Sequence, residues 1–398
     1  MTDDQPIATE AALPRTVAWF DESGTTFTNA YATLPLCCPS RASILSGLYP
    51  HNHGVVGNRP GQGKEDFDYG RTIQAELGVA GYRTGYIGKF QLEHRIAPGF
   101  DSYAITRGYF NRSLHTGNGA RTRVGYAPRF VFERAGRLAR RWDGEPWLIV
   151  VAPSSPHQPN HPEARFADER FPWDRPPNVG ADPGGKPSYV AGSQTIPKAG
   201  AQLRQRQLRT LRTVDRGFMR LVGTLDELDR LETTLVIFVS DNGVMWGQHG
   251  LMGKHVPYRE SVRVPMYARG PDVPEGASER LVANVDIAPT LYRRAGIDPS
   301  YAVDGRDMLT SPARDVLLLE HPLDHPGGGN MGLMSMPAWA SLVSDSGDQY
   351  VAYDSGEEEL YDLESDPFQL TNLAPETDLS ARREALDAVR LCAGSECP

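Results

Sequence analysis

The chain has 398 residues, of which 39% are hydrophobic and 23% charged, and its formal charge is −9 at pH 7. This composition is typical of a globular protein, and the length allows one large domain and a smaller one. Because the chain is acidic and has no basic run, we do not expect it to bind nucleic acid or an anionic membrane surface. Its longest apolar runs, 147–152 and 235–239, have the length of strands and are too short to span a bilayer.

Helix and strand patterns alternate along the first part of the chain. Apolar residues at helical spacing predict helices within 6–24 and over 39–48, 72–80, 130–142 and 201–230. Runs of β-branched, aromatic or apolar residues predict strands over 25–33, 82–90, 147–152 and 233–240. The alternation favours a mostly parallel sheet covered by helices on both faces. The intervening stretches 91–130 and 158–199 are predicted to be loops that form a lid or a pocket wall.

The last part of the chain has a different pattern. Short runs over 316–320, 340–343, 349–353 and 359–363 read as strands, and Asp-Ser-Gly sequences between them read as turns. These runs predict a small antiparallel sheet. We therefore predict an α/β catalytic domain over residues 1–310 and a small C-terminal subdomain over residues 311–398.

Two adjacent cysteines precede the second predicted helix. Cys37 and Cys38 are followed by Pro39, which suits the first turn of a helix because its missing N–H is not needed there. Cys37 therefore stands just before a helix N-terminus, where backbone N–H groups and the helix dipole favour a negative group. This position suits a nucleophile and the anion that it attacks.

Two pairs of polar residues could hold a cation. Asp241 and Asn242 follow the strand that ends near Ser240, and Asp3 and Asp4 stand near the start of the sequence. Carboxylate and amide oxygens are ligands for Ca²⁺ or Mg²⁺ rather than zinc. The alternative interpretation is that both pairs are turn residues, which is the commonest use of such sequences.

Three stretches of the chain together resemble one protein family. The run 37–41, Cys-Cys-Pro-Ser-Arg, resembles the signature of the formylglycine-dependent (type I) sulfatases. With the run 49–53, Tyr-Pro-His-Asn-His, it is most similar to the N-acetylglucosamine-6-sulfatase branch. Residues 361–373 resemble the C-terminal signature of the family. The resemblance implies an alkaline-phosphatase-like α/β fold, with a mostly parallel central sheet between helices. It also implies hydrolysis of a sulfate ester, on a sulfated sugar or an aryl sulfate, to an alcohol and inorganic sulfate.

The same resemblance implies a modified nucleophile and a bound cation. In the family, a formylglycine-generating enzyme oxidises the first cysteine, here Cys37, to 3-oxoalanine (formylglycine), whose hydrate supplies the attacking hydroxyl. The implied metal ligands are Cys37 together with Asp3, Asp4, Asp241 and Asn242. We expect Ca²⁺ in this site, with Mg²⁺ as the alternative.

Basic residues of the chain match the sulfate-binding positions of the family. Lys89 and Lys254 follow glycines as the family lysines do, and His157 resembles the histidine that contacts the ester oxygen. His249 resembles a second, less general histidine near the sulfate. An isolated lysine or histidine is more often a surface or structural residue, so these four assignments depend on the resemblance. In the same way Arg41 is expected to brace the nucleophile, and Asp241 to act as base.

The sequence departs from the family pattern after the first lysine. Many sulfatases have Gly-Lys-x-His there, but this chain has glutamine at position 91. Gln91 cannot accept the proton that the family histidine takes, so Glu93 and His94 are the candidates for that role.

A second departure concerns the start of the sequence. Asp3 and Asp4 end an apolar strand in the family, and we expect that strand to be missing here, through a late start or a truncation. If the chain extends upstream of Met1 it could be secreted; otherwise a cytoplasmic location is expected. Cys392 and Cys397 are equally consistent with a disulfide, which would imply an oxidising compartment, and with two free thiols.

Two other functions stay open on the sequence. A phosphodiesterase or phosphonate monoester hydrolase of the same superfamily would use the same ligands on a phosphoryl group. An inactive sulfatase-like binding protein would follow if Asp3 and Asp4 were too poorly anchored to hold a metal.

Overall fold

The structure is a computed structural model that describes residues 1–93, 95–110, 115–116, 125–192, 197–328 and 333–398. His94, one of the candidate proton acceptors, lies outside these residues. The helices are α1 (Pro14–Ser23), α2 (Cys37–Ser46), α3 (Pro50–His53), α4 (Ile73–Val79), α5 (Ala127–Arg141), α6 (Ser188–Ala191), α7 (Pro197–Glu227), α8 (Arg259–Val262), α9 (Ile287–Ala295) and α10 (Ser380–Val389). The first strands are β1 (Thr25–Tyr31), β2 (Arg83–Gly88), β3 (Ser102–Ile105), β4 (His115–Thr116), β5 (Trp147–Ala152), β6 (Val236–Val239), β7 (Met245–Trp246) and β8 (Met252–Gly253). The later strands are β9 (Met266–Arg269), β10 (Gly276–Ala283), β11 (Val316–His321), β12 (His325–Gly328), β13 (Leu333–Met336), β14 (Trp339–Ser344), β15 (Asp348–Tyr353) and β16 (Glu358–Asp362).

Two four-stranded sheets form the centre of the catalytic part. One has the strand order β10-β1-β9-β6 and the other β4-β3-β2-β5. Strand β2 runs parallel to β3 and β5, and β1 runs parallel to β10. Strand β9 runs antiparallel to both of its neighbours, β1 and β6. The α/β class is therefore confirmed, with an antiparallel strand inside one sheet.

The first residues of the chain connect these two sheets. Thr2 pairs in parallel with Ser240, just beyond β6, and Asp3 pairs in parallel with Pro156, which follows β5. The Thr2 N–H donates to the carbonyl of Val239 at 2.8 Å. Residues 2 and 3 thus hold a strand position between β5 and β6, and this pairing anchors the two aspartates at the carboxyl ends of the strands.

Helices cover both faces of the sheets, as predicted. On one face, α1, α5 and α7 contribute Phe20, Val131, Leu211 and Phe218 to a buried apolar cluster. On the other face, a second buried cluster contains residues of α2, α4 and α9, among them Leu45. Both clusters fit the apolar spacing from which the helices were predicted.

The main helices and strands lie close to their predicted positions, and the differences have local causes. Helix α7 begins four residues before the predicted 201, at Pro197, and α5 begins at Ala127 with Pro128 in its first turn. Proline is favourable at a helix start, and apolar spacing alone does not mark it. Strand β3 lies within the stretch predicted to be loop, because a four-residue strand is too short for a clear alternating pattern.

The C-terminal sheet is antiparallel, as predicted, in the order β11-β14-β15-β16. It begins at Val316, near the predicted boundary at 310/311, but it packs on the catalytic part through one shared apolar cluster. Tyr49 and Tyr258 of the catalytic part and Leu318 and Trp339 of the sheet belong to this cluster. The division into two domains stays a prediction.

Two further observations concern the chain as a whole. Cys392 and Cys397 are joined by a disulfide and are not free thiols. Among the described residues, no helix is both long enough and apolar enough to cross a membrane.

Candidate active site

The site is built around the first turn of helix α2. Cys37 is the first residue of α2, and every residue of this helix is buried. Asn58 fixes the start of the helix, because its side-chain oxygen accepts from the N–H of Cys38 at 2.8 Å. The neighbouring thiol of Cys38 lies near the carbonyl oxygen of Gln91 at 3.5 Å. The two adjacent cysteines therefore have different surroundings, and only Cys37 faces the charged groups described next.

Three buried aspartates surround Cys37. Oδ1 of Asp3 lies 3.5 Å from the Cys37 sulfur and Oδ1 of Asp4 lies 3.8 Å from it. Asp241 joins them through its Oδ1, which accepts from the backbone N–H of Asp4 at 3.0 Å. Asp4 has a φ of +63°, a left-handed conformation that aspartate tolerates better than most residues. Such strained conformations often occur at functional sites.

Two lysines complete the surroundings of the thiol. Nζ of Lys254 lies 2.9 Å from the Cys37 sulfur and Nζ of Lys89 lies 3.5 Å from it. Lys89 also donates to both carboxylate oxygens of Asp3, at 2.8 and 2.7 Å. Lys254 donates to Oδ1 of Asp4. Each lysine therefore bridges one carboxylate and the position of the nucleophile.

Arg41 connects helix α2 to the carboxylates of Asp241 and Asp3. Its Nε donates to Oδ2 of Asp241 at 2.8 Å, and Nη2 lies 3.6 Å from Oδ1 of Asp3. Its Nη1 donates to the hydroxyl oxygen of Tyr86 at 3.2 Å and to the carbonyl of Lys89. Arg41 is 1% exposed, so it is a fixed structural centre of the site rather than a mobile surface charge.

The titration properties of the site follow from burial and from the mixture of charges. Burial raises the pKa of the Cys37 thiol in spite of the two nearby lysines. Burial also raises the pKa of Asp241, with a contribution from the charges of Asp3 and Asp4 and against that of Arg41. Burial favours a higher pKa for Asp3 as well, but Lys89 and the other cations lower it overall. An unmodified Cys37 is therefore a neutral thiol and a weak nucleophile near pH 7.

The donor atoms fit a hard divalent cation. Ligand atoms of Asp3, Asp4, Cys37 and His157 all lie within 4.8 Å of one another. Asn242 is next to this group, since its Nδ2 donates to Asp4 at 2.8 Å. Because the buried ligands are mainly carboxylate oxygens with one amide, the set suits Ca²⁺ or Mg²⁺.

His157 lies at the solvent side of the group. Its Nε2 is 3.7 Å from Oδ2 of Asp4, and its Nδ1 lies 2.6 Å from the carbonyl of Gln158, to which it donates. Tyr109 fixes the backbone by donating to the carbonyl of His157 at 2.9 Å. With Nδ1 occupied in this way, Nε2 is the atom that can exchange a proton with a bound molecule.

His249 lies elsewhere. It is 4% exposed and stacks on Tyr258 with 4.3 Å between the ring centroids. Its backbone N–H donates to Asn178 at 2.7 Å. Among the described residues, none of its contacts reaches the group around Cys37. The structure thus brings together the other predicted residues and leaves His249 in the packed wall behind them.

Several residues of the site were not predicted from the sequence. A pocket beside Cys37 is lined by Asp3, Lys89, Gln91 and His157, which the sequence indicated, and also by Thr106 and Arg107, which it did not. Thr106 and Arg107 directly follow β3, a strand that the sequence pattern did not reveal. Tyr86, within β2, and Tyr109, in the loop after β3, are also new, and no local sequence signal indicated them.

Comparison with known proteins identifies the family. The sulfatase family profile matches residues 5–297. A Sulf-1 homologue of Caenorhabditis elegans, named as an extracellular sulfatase, is 34% identical over 80% of this chain, which spans 51% of that relative. The human N-acetylglucosamine-6-sulfatase is 28% identical over 100% of this chain and 84% of its own length.

Two solved structures of the same fold are relevant to the reaction class. One, in complex with its substrate D-glucosamine-2-N,6-O-disulfate, has a TM-score of 0.85 at 20% identity and covers 97% of this chain and 94% of that one. A phosphonate monoester hydrolase of Agrobacterium radiobacter has a TM-score of 0.75 at 21% identity and covers 97% and 93%. At these identities the two structures show the alkaline-phosphatase-like fold alone. With the matched profile and the similar relatives, the chain belongs to the sulfatase family.

Proposed function

We propose that the protein is a sulfatase that hydrolyses a sulfate ester of a sugar to the alcohol and inorganic sulfate. The observation that carries this proposal is the contact of Cys37 with both Lys89 and Lys254 inside a ring of buried carboxylates. Two ammonium groups at one nucleophile position suit an anionic group with several oxygens. The relatives named as N-acetylglucosamine-6-sulfatases support a sugar as the alcohol part.

Cys37 is the proposed site of formylglycine formation by a generating enzyme. The buried thiol has a raised pKa and would be a poor nucleophile without modification. As an aldehyde hydrate, residue 37 would supply one hydroxyl that attacks sulfur and a second that later expels sulfate. Asp241, whose pKa is also raised, is the proposed base for the attacking hydroxyl.

The cations of the chain would stabilise the charge on the sulfuryl group. Lys89 and Lys254 lie on the same side as the Cys37 sulfur, where the transferred group would be bound. Arg41 holds Asp241 and so fixes the base. Asp3, Asp4, Asp241, Asn242 and residue 37 would hold a divalent cation, Ca²⁺ or Mg²⁺, which would supply Lewis-acid stabilisation when bound.

His157 is the proposed general acid. Its Nδ1 is fixed on the carbonyl of Gln158, so its Nε2 can carry the proton for the departing sugar oxygen. A sugar alkoxide is a poor leaving group, and its protonation is therefore important for the rate.

The experiment compares paired esters. We would express the protein with a formylglycine-generating enzyme and measure sulfate release from glucosamine 6-sulfate and from p-nitrophenyl sulfate, and hydrolysis of p-nitrophenyl phenylphosphonate. We expect both sulfate esters to be hydrolysed and kcat/KM to favour the aryl sulfate over the phosphonate by about 100-fold or more, about 2.7 kcal/mol. A preference for the phosphonate would assign the protein to the phosphonate hydrolases instead. Cys37→Ala is the control for contaminating activity.

An oxidising location is part of the proposal. The Cys392–Cys397 disulfide and the extracellular relatives support secretion or export. To test this location, we would isolate the protein from its native source, alkylate it without reduction and measure the mass of the C-terminal tryptic peptide. Two alkylated thiols would contradict it.

A further inference from the structure

Three histidines form a group of neighbouring imidazoles next to Lys254. His255 directly follows that lysine, and His321 and His325 come from the end of β11 and the start of β12. Nδ1 of His255 lies 2.9 Å from Nε2 of His321, and the ring centroids of His255 and His325 are 4.5 Å apart. The catalytic part and the C-terminal sheet therefore meet through imidazoles beside the sulfate-binding lysine.

The contacts of this group determine where its protons are. Nδ1 of His321 lies 2.8 Å from the carbonyl of Leu323, and a carbonyl can only accept, so Nδ1 carries a hydrogen. In a neutral His321 the other nitrogen, Nε2, is then an acceptor. It accepts from Nδ1–H of His255, and a neutral His255 therefore has a lone pair on Nε2.

The surroundings keep both rings neutral. Burial lowers the pKa of His321 to about 4. Burial, the two other histidines and Lys254 lower the pKa of His255 well below its ordinary value. The hydrogen bond to the Leu323 carbonyl and the Asp324 carboxylate raise the pKa of His321, but the effect of burial is larger. The hydrogen-bonded chain thus runs in one direction, from His255 to His321 to the Leu323 carbonyl.

The backbone of His255 is held in place as well. It has a φ of +85°, which is uncommon for a residue with a side chain. The indole N–H of Trp339 donates to the His255 carbonyl at 2.8 Å, and the Trp339 ring stacks on His321 with 6.1 Å between centroids. His255 is nevertheless partly exposed, and its Nε2 takes part in no hydrogen bond found within the described part of the chain.

A neutral acceptor has a specific use at this place. The basic groups near the Cys37 sulfur, namely Lys89, Lys254 and His157, are donors that match sulfate oxygens, and the carboxylates there pair with these cations. The hydroxyls and amide of a sugar also need acceptors. A carboxylate in that role would repel the sulfate, whereas a neutral imidazole would not.

We propose that Nε2 of His255 accepts a hydrogen bond from a hydroxyl or amide N–H of the sugar next to the sulfate ester, and that His321 is the residue that positions it. This inference rests on the proposed function and narrows the substrate class to sulfated sugars with a free donor beside the ester. The C-terminal sheet then takes part in substrate selection.

The test uses binding rather than turnover, so that it is separate from the test of the function. In a Cys37→Ala background we would measure Kd for glucosamine 6-sulfate and for inorganic sulfate by titration calorimetry. His255→Asn suits the test because asparagine tolerates a positive φ but is too short to place an acceptor at the same point. We expect it to weaken sugar sulfate binding about tenfold and sulfate binding less than about twofold.

A matched pair at position 321 tests the positioning role. His321→Phe keeps the ring but cannot accept from His255, and we expect it to weaken sugar sulfate binding as His255→Asn does. His321→Gln can still accept and should restore most of the affinity. If His255→Asn weakened the binding of sugar sulfate and of inorganic sulfate equally, or weakened neither, the inference would be overturned even if sulfate esters are hydrolysed. Failure of both ligands to bind in the background variant would contradict the proposed function itself and the inference with it.

Discussion

Nζ of Lys254 lies 2.9 Å from the sulfur of Cys37, with both residues buried. The same ammonium pairs with Asp4, so one lysine connects the nucleophile position to the carboxylate group. The positive charge at position 254 therefore affects the binding of both ions. It attracts the sulfate group of the substrate, and it competes with the divalent cation for Asp4.

The two adjacent cysteines provide a matched test of the nucleophile. We expect Cys37→Ser to lose at least about 1,000-fold in kcat, since removal of a covalent nucleophile typically costs this much or more. Cys38→Ser should keep at least about a third of the activity, because the Cys38 thiol lies near the carbonyl of Gln91 and a serine hydroxyl can donate to the same oxygen. Mass analysis of the peptide ending at Arg41 should show formylglycine in the second variant alone. An active Cys37→Ser enzyme would refute the assignment.

Binding of a divalent cation should depend on Asp4. Calorimetry with Ca²⁺ should show one site in the wild-type protein, and Asp4→Asn should weaken it by about tenfold or more because one charged ligand is lost. Asp66→Asn, at an exposed position, is the control and should bind Ca²⁺ normally. If the two variants bind alike, the ligand group has been assigned incorrectly.

The effect of removing His157 should depend on the leaving group. For glucosamine 6-sulfate, whose alkoxide needs a proton, His157→Ala should lower kcat by about 100-fold or more. For p-nitrophenyl sulfate, whose phenolate leaves readily, the loss should be under about tenfold. Steady-state kinetics on both esters is the measurement. Equal losses on the two would mean that His157 positions the substrate and does not protonate it.

Buried His321 should make the protein less stable in acid. Its pKa falls from 6.5 to about 4 in the folded protein, so between these values the unfolded chain takes up a proton that the folded chain does not. The free energy of unfolding therefore decreases as the pH falls, by about 2 kcal/mol from this group between pH 7 and 4.5.

Urea unfolding of the wild type and of His321→Gln at both pH values measures this contribution. The variant should lose about 2 kcal/mol less than the wild type over the same interval, because glutamine does not titrate. Other groups contribute to both proteins and cancel in the comparison. An identical loss would show that the pKa of His321 is the same in the folded and unfolded states.

Much of the site could be predicted because its residues follow strands or begin a helix. Lys89 stands directly after β2 and Asp241 two residues after β6, and Cys37 begins a helix that has a proline in its first turn. These signals lie within short stretches of the sequence, so they can be recognised without the fold. The group around His255 gives no such signal. His321 is near it only because β11 pairs with β14 and brings Trp339 against the loop after Lys254, and pairing between distant strands has no local pattern.

The fold shows the same division between local and distant information. Helix α7 could be predicted from the spacing of its own apolar residues, and strand β5 from its own apolar run. The antiparallel course of β9 was not, because strand direction depends on connections across the whole domain. His249 is the converse case: its match to a family position suggested a ligand, but a φ of +52° and the stacked Tyr258 ring give it a packing role.

The apolar cluster shared by the two parts has a consequence for limited proteolysis. Tyr49 and Tyr258 pack in one core with Trp339, and His51 and Glu320 form an ion pair at 2.9 Å across the same boundary. A cut in the connection between α9 and β11 would therefore leave two fragments that stay associated and elute together. The larger fragment expressed alone would expose this aromatic surface to water and would be expected to aggregate.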